Sequence, residues 1–319
     1  MDEKMKYSVI IPLYNKATRI KSTIESVLGQ TEQDFELIIV DDGSTDESAS
    51  VVKKIQSGKI RLIQQKNSGV AAARNCGIRS SYGEYITFLD ADDIWLPNFL
   101  ETINKLTEKF PNAGLLCPSY CVNYGDRTVY PQFRSVEDTE SHLVKDFLEM
   151  ATAPFWVCNS SCVAIRRETI FEMEYWFPEG ETVYEDFDFW IRIGTKSEVA
   201  HSNTVCSVYM RATETNARST HYSSKVVYSE TFMKTLAGFL ESNQYNAQQK
   251  NWVKQIKDRR MVPYIFSLFC IKEREKAIHE LRNWQPTKEY KKYKYALQML
   301  RHMPMKVFVF IQKLRNRIF

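Results

Sequence analysis

Residues 84–93 read Glu84-Tyr-Ile-Thr-Phe-Leu-Asp90-Ala91-Asp92-Asp93, a short apolar run of β-branched and aromatic residues that ends in three carboxylates. Such a run reads as a buried strand. Its carboxyl end then delivers Asp90, Asp92 and Asp93 to the crevice where open α/β sheets take their ligands. Crowded carboxylates there ask for a cation. Hard divalent ions such as Mg²⁺ or Mn²⁺ take oxygen ligands, and one or two carboxylates suffice when water and phosphate complete the shell. The same residues also read as an acidic turn before a helix, with Asp93 as N-cap and Pro97 in the first turn.

Working outward, strand and helix signals alternate all the way from Tyr7 to Leu89. Tyr7-Ser-Val-Ile-Ile-Pro12 is strand-like, and residues 17–28 follow with Ile20, Ile24, Val27 and Leu28 at helical spacing and Gly29 at the expected stop. Phe35–Val40 is the second strand, Asp46–Ile55 the second helix and Ile60–Ile63 the third strand. Ser68 caps a helix to about residue 80, and Glu84–Leu89 is the fourth strand. This alternation predicts a parallel sheet covered on both faces, with ligands at the strand carboxyl ends. Three polar clusters fall there: Pro12-Leu-Tyr14-Asn15-Lys16, Asp41-Asp42-Gly43-Ser44 and Asp90-Ala-Asp92-Asp93. Neither G-x-G-x-x-G nor G-x-x-x-x-G-K-[ST] occurs, so the usual glycine cradles for dinucleotides and ATP are missing. A diphosphate held here needs a metal on carboxylates in their place.

Composition sets the outer bounds. At 319 residues, 44% hydrophobic and 26% charged, the chain is globular and longer than one core usually supports. Residues 250–319 carry 18 lysines and arginines against five acids, net +13, whereas the preceding residues sum to −9. An acidic body with a basic end suggests a catalytic portion and an anion-facing surface. The seven cysteines form no dense framework, and no secretory leader precedes Tyr7, so reduced thiols in a cytoplasmic protein are expected. The three-residue gaps in Cys117/Cys121 and Cys158/Cys162 depart from common zinc spacing. No apolar run reaches membrane-spanning length.

In order along the chain, Ser8-Val-Ile-Ile-Pro-Leu-Tyr-Asn15, Glu25-Ser-Val-Leu-Gly-Gln-Thr31 and Phe35-Glu-Leu-Ile-Ile-Val-Asp-Asp-Gly-Ser-Thr-Asp46 are followed by Asn67-Ser-Gly-Val-Ala-Ala-Ala-Arg-Asn-Cys-Gly77, Asp90-Ala-Asp92 and Glu185-Asp186-Phe-Asp-Phe-Trp-Ile-Arg192. This set resembles the inverting family 2 glycosyltransferases of the GT-A fold, over roughly residues 5–215. The resemblance implies a Rossmann-like mixed α/β sheet with helices on both faces. The implied glycosyltransferase domain occupies residues 1–220, with a nucleotide-binding half at about 5–95 and an acceptor half at about 96–220, before a basic, mainly helical region at 221–319.

The resemblance also implies roles. Pro12, Tyr14 and Lys16 would line the nucleotide pocket, and Asp41, a pure acceptor, would take the uracil N–H. Arg74 would approach the nucleotide or its phosphates with its forked donors. Asp90 would meet the ribose or a metal-bound water, and Asp92, with Asp90, would hold Mg²⁺ or Mn²⁺ as the DXD element. Asp186 would be the general base, its pKa raised by like charge and burial, with Glu185, Trp190 and Arg211 as acceptor or phosphate contacts. The bland reading of that segment is an acidic helix start favoured by the helix dipole. Two departures stand out. Tyr209-Met-Arg211-Ala-Thr-Glu-Thr-Asn-Ala-Arg218-Ser219 lacks the histidine often found after the base, leaving Arg211 or Arg218 to neutralise phosphate. The Gln/Arg-x-x-Arg-Trp element and membrane helices of processive members are also missing, which points to transfer of a single sugar.

The expectation is a metal-dependent transferase of the hexosyl or N-acetylhexosaminyl class, acting from a nucleotide sugar, UDP-linked by preference. The acceptor is a saccharide or lipid-linked saccharide in cell-surface polysaccharide synthesis. The alternative is a non-catalytic nucleotide-sugar-binding or scaffold protein of the same fold. Lys288, Lys291, Lys292, Lys294, Arg301, Lys306, Lys313, Arg315 and Arg317, interleaved towards the end with Met303–Phe310 and Ile318, suit either peripheral contact with the inner membrane face or packing on the body or a second subunit. Nucleic acid is not an expected partner, because no binding module accompanies the basic segment.

Overall fold

The computed structural model describes residues 5–131, 133, 139–153, 158–211 and 226–300. The chain divides into two compact units, Met1–Ala212 and Thr213–Phe319.

The first unit opens with β1 (Tyr7–Leu13), α1 (Ile20–Leu28), β2 (Phe35–Asp41), α2 (Ser48–Lys53), β3 (Ile60–Gln64), α3 (Val70–Arg79) and β4 (Tyr85–Phe88). Every residue of β1 and β2 is buried, which is why both read as unbroken apolar runs instead of alternating ones. Two of the polar residues in these strands are tied together: Ser8 Oγ donates to Glu36 Oε1 at 2.6 Å, and Arg61 Nη2 reaches Glu36 Oε2 at 2.9 Å. Pro12 lies inside β1 rather than ending it. β4 pairs β1 only through Ile10, so the N–H that Pro12 lacks falls beyond that ladder. Gly77 lets α3 press onto β1, since a Cβ there would collide with the Ile10 side chain.

Beyond β4 come β5 (Ile94–Trp95), α4 (Phe99–Lys109), β6 (Leu115–Asn123), β7 (Thr128–Val129), β8 (Ser141–Leu143), α5 (Phe147–Ala151), a 3-10 turn at Ser160–Cys162, β9 (Ala164–Arg166), α6 (Arg167–Phe171), α7 (Glu185–Lys196) and β10 (Val199–Met210). The sheet order is β3-β2-β1-β4-β9-β6-β10-β5, with β7 on β6 and β8 on β10. The first four strands are parallel, as the alternation predicts. The sheet then turns mixed, because three-residue β9 inserts antiparallel between β4 and β6. Helices flank the sheet, and the architecture is the mixed α/β sheet of the GT-A fold.

Two cap assignments differ from expectation. Asn98, not Asp93, precedes α4 at its N-cap. α3 starts after Gly69 without a side-chain cap, and Ser68 Oγ bonds the carbonyl of Lys66 instead.

The second unit is helical: α8 (Glu230–Glu241), α9 (Ala247–Cys270), α10 (Arg274–Asn283), a 3-10 turn at Lys288–Tyr290 and α11 (Lys291–Leu300). Ser229 caps α8, and Asn246 with Gln249 forms a reciprocal capping box on α9. Met261, Ile265, Leu268, Leu281, Trp284 and Leu297 form its core. Buried Asp258 is satisfied by Trp284 Nε1 at 2.6 Å and by Thr287 N and Oγ1, both at 2.7 Å. No helix among the described residues is long and apolar enough to cross a membrane. Arg218 and the tail cations Arg301, Lys306, Lys313, Arg315 and Arg317 lie outside the described residues.

Candidate active site

The three polar clusters meet at the carboxyl ends of β1, β2 and β4. After β1 the chain turns through Asn15, whose φ of 51° is left-handed, a conformation asparagine tolerates better than most residues. The turn is stitched to the segment after β2: Asn15 N donates to Ser44 Oγ at 3.0 Å, Thr45 N to Asn15 Oδ1 at 2.8 Å, and Lys16 N to Ser48 Oγ at 2.8 Å. Tyr14 is left 46% exposed on this rim. Asp41 is buried, accepting from Ser44 N and Gln64 Nε2, both at 3.0 Å. Its neighbour Asp42 accepts from Ser68 N, Gly69 N and Gln65 Nε2, each at 2.8 Å, and so supplies the anchoring that Ser68 does not.

After β4 the three aspartates part company. Asp92 Oδ2 receives Lys16 Nζ at 2.5 Å. Asp90 Oδ1 receives Arg74 Nη2 at 2.9 Å, and its side chain remains 32% exposed. Asp93 is fully buried, accepting from Ser161 Oγ at 2.5 Å and from Met210 N at 2.9 Å. Burial, then the charges of Asp90 and Asp92, push its carboxyl well above the usual range. Asp93 therefore locks the carboxylate turn to the 3-10 turn and to β10. Ser161 reinforces this by accepting from Asp90 N at 3.1 Å.

Arg74 is engaged by protein groups on both arms of its fork. Its side chain is 4% exposed and bridges two carboxylates, with Nη1 on Glu185 Oε1 at 3.1 Å and Nη2 on Asp90. Its guanidinium also sits 5.2 Å from the Phe177 ring. Burial opposes its charge, but Asp90, Glu185 and Asp186 outweigh burial and hold it protonated. Glu185 is pushed up to about 7, first by burial and then by the charge of Asp186, with Arg74 acting against both.

Glu185 and Asp186 open α7 in its first turn, where the helix dipole favours acids. Tyr184 before them has a left-handed φ of 64°, a conformation costly for a non-glycine residue and held here by its surroundings. The approach to α7 is clamped from two sides. Asn75 accepts from Phe177 N at 3.1 Å and donates to Phe177 O and Glu179 Oε1, both at 2.9 Å. Arg192 pairs with Asp188 at 2.8 Å and donates to Tyr175 O at 2.7 Å and Trp176 O at 2.5 Å. Trp190 is fully buried among Phe88, Phe177 and Phe189. Helical periodicity turns its ring inward, into the core. Arg211, at the end of β10, donates to Tyr124 Oη at 2.7 Å.

Lys16, Asp90, Asp92, Arg74, Glu185 and Asp186 thus form one linked set across two halves of the sheet. The missed residues, Asp42, Asn75, Ser161 and Arg192, hold that set in place. Asp42 carried a local signal in its place at a strand end, and Asn75 and Arg192 stand inside the motifs of the family resemblance; Ser161 carried none.

A divalent ion fits this donor set. Asp90 and Asp92 offer oxygen donors only, with side chains still 32% and 16% exposed. No group of three or more ligating side chains occurs among the described residues. Mg²⁺ and Mn²⁺ can be held by one or two carboxylates, with water and diphosphate oxygens completing the shell.

The family model described as glycosyl transferase family 2 matches residues 8–172. The chain belongs to glycosyl transferase family 2. Among curated members similar to it, an uncharacterized glycosyltransferase of Nostoc sp. is 41% identical over 128 residues, covering 39% of this chain and 40% of that one. Glycosyltransferase GlyG of Streptococcus pneumoniae serotype 4 is 43% identical over 122 residues, covering 37% and 40%. The matched segment therefore spans about two fifths of the length of these family 2 relatives. Among solved structures, S. aureus TarS 1–349 in complex with UDP-GlcNAc superposes with a TM-score of 0.70 at 18% identity, over 92% of both chains. The mannosyltransferase PcManGT of Pyrobaculum calidifontis, in complex with GDP-Man and Mn²⁺, gives 0.57 at 16% identity, over 99% of this chain and 88% of its own. At these identities the likeness establishes the shared fold of this family 2 member.

Proposed function

We propose that this chain is a metal-dependent, inverting glycosyltransferase that moves one sugar from a nucleotide sugar, UDP-linked by preference, to a saccharide or lipid-linked saccharide in cell-surface polysaccharide synthesis. The observation that carries this reading is the Arg74 bridge, which ties the Asp90–Asp92 turn to the start of α7, where Asp186 stands. A donor-side carboxylate pair and an acceptor-side carboxylate are held in one frame, as a displacement reaction needs. Family membership supports the same conclusion. The UDP-GlcNAc and UDP complexes of the TarS fold neighbour favour a uridine donor, and the Mn²⁺ of PcManGT favours a divalent cofactor.

In this mechanism Asp41 accepts the base N–H with the lone pairs that Ser44 and Gln64 leave open. Pro12 and Tyr14 flank the base, and Lys16 sets its ammonium beside the diphosphate. Bound at Asp92 and Asp90, Mg²⁺ or Mn²⁺ would act as a Lewis acid that neutralises charge on the leaving diphosphate. Asp186 takes the proton of an acceptor hydroxyl while that oxygen bonds to the anomeric carbon, and the bond to the diphosphate breaks on the opposite face, its electron pair leaving with the phosphate oxygen. The anomeric configuration inverts. Such general-base help is worth about 10²–10⁴-fold. Arg211 is a further candidate for an acceptor or phosphate contact. The protein works in the cytoplasm, peripheral at the inner face of the membrane, where lipid-linked acceptors are presented.

The test is a screen of UDP-, GDP- and dTDP-sugars with Mn²⁺ for slow donor hydrolysis and thermal stabilisation. One UDP-sugar giving both, lost on chelation, is the expected result. Binding without turnover against any acceptor would favour the scaffold alternative, and no binding at all sinks both readings.

A further inference from the structure

α11 presents two unlike sides. Leu297 is buried in the core of the second unit, and Lys294 Nζ donates inward to the carbonyl of Trp284. At about 100° per residue, Lys292, Tyr295 and Met299 follow one another along the side opposite Leu297, with Lys291 beside them. Tyr295 is 64% and Met299 69% exposed, and both lysines are exposed. Lys292 Nζ lies 5.1 Å from the ring of Tyr293, itself 42% exposed. One outward helix face thus combines an aromatic ring with a polar tip, a thioether and two cations, the mixture that suits a boundary between anionic headgroups and acyl chains.

We propose that this face of α11 docks on an anionic phospholipid surface. Tyr295 and Met299 settle at the boundary of headgroups and acyl chains, where amphipathic rings are favoured. Lys291 and Lys292 stand above them against the lipid phosphates. Charge complementarity selects the occupant: residues 250–319 sum to +13, whereas the rest of the chain sums to −9 and is repelled by the same surface. The proposal rests on the peripheral-membrane part of the functional reading and gives that contact its residues.

The full chain is co-sedimented with vesicles of equal parts phosphatidylcholine and phosphatidylglycerol, and with pure phosphatidylcholine vesicles. Binding to the anionic vesicles alone is expected, weakening as salt rises. Each Lys→Glu change at 291 or 292 should lower affinity at least about fivefold. Tyr295→Ser with Met299→Ser should lower it by a similar factor, while Lys276→Glu on α10 leaves it nearly unchanged. Tyr295→Trp should show blue-shifted emission on binding. No binding by the natural chain, or equal binding by the α11 variants, overturns the proposal. A concentration-dependent dimer that the α11 variants abolish, with no vesicle binding, also overturns it and assigns the face to a second copy. Donor hydrolysis without vesicle binding removes only the docking surface, and vesicle binding without hydrolysis removes only the catalytic reading.

Discussion

Arg74 Nη1 donates to Glu185 Oε1 at 3.1 Å, joining α3 to the first residue of α7 across 111 positions of sequence. Because Nη2 of the same guanidinium holds Asp90, one buried cation fixes the spacing between the Asp90–Asp92 turn and the start of α7. Removing one partner of a buried ion pair leaves the other charge uncompensated, at about 3–5 kcal/mol. Arg74→Ala should lose stability at the low end of that range, since Asp90 retains some water, and transfer should vanish. Arg74→Lys keeps the charge but not the fork, and should recover stability better than rate. Urea unfolding and initial rates on the same preparations separate the two.

Among the described residues, Asp186 makes no long-range hydrogen bond that anchors the fold; its Oδ1 accepts from the next backbone N–H, Phe187 N, at 2.8 Å. Asp186→Asn should therefore leave the melting temperature and donor affinity close to natural values. Transfer should fall about 10²–10⁴-fold. Calorimetric titration with the donor, paired with turnover, checks this; a rate near that of the natural chain would remove Asp186 from the role of base.

Lys16 occupies an oxygen of Asp92 that a metal ion would also seek, at 2.5 Å. Lys16→Met should tighten Mn²⁺ binding in the absence of nucleotide by about 3- to 10-fold, because a competing cation is gone. Donor affinity should weaken, because the ammonium beside the diphosphate is gone as well. Asp92→Asn should weaken Mn²⁺ in both situations. Electron paramagnetic resonance of free Mn²⁺ reads these changes without any turnover.

Glu185 carries a folded-state pKa of about 7 against an ordinary 4.5. Its raised pKa means that the folded chain holds a proton the unfolded chain has released between those values. Stability from this group is therefore present below about pH 4.5 and is lost as pH rises through 7, by on the order of 3 kcal/mol. Glu185→Gln removes the titration and should flatten the difference between melts at pH 5 and pH 8. If the natural chain and the variant show parallel pH profiles, Glu185 does not titrate in this window.

Much of the fold was legible because β1 and β2 are buried on both faces, so their apolar runs needed no partner to be recognised. The helix signals of α1 and the stop at Gly29 were equally local. β9 was harder: three residues carry too little pattern to reveal that they insert antiparallel between β4 and β6. At the candidate site, residue type and position at a strand end singled out Asp41, Asp90 and Asp92, which the fold gathers at the carboxyl ends of β2 and β4. The same logic took Asp93 for a cap, and it could not foresee the partners of Arg74 or the aromatic surroundings of Trp190, since each is decided by a neighbour distant in sequence.

From sequence alone came the elements from β1 to β4 and their order, the strand ends where polar residues gather, and the resemblance to the family. Periodicity and turn chemistry are properties of a few adjacent residues, so they survive without the fold. Tertiary structure alone decided which charges meet: Lys16 with Asp92, Arg74 with Asp90 and Glu185, and Asp93 with Ser161 and the backbone of Met210. The physical reason is burial, which turns a weak long-range preference between solvated charges into a strict demand for a partner, and only the packed chain determines which groups lose their water.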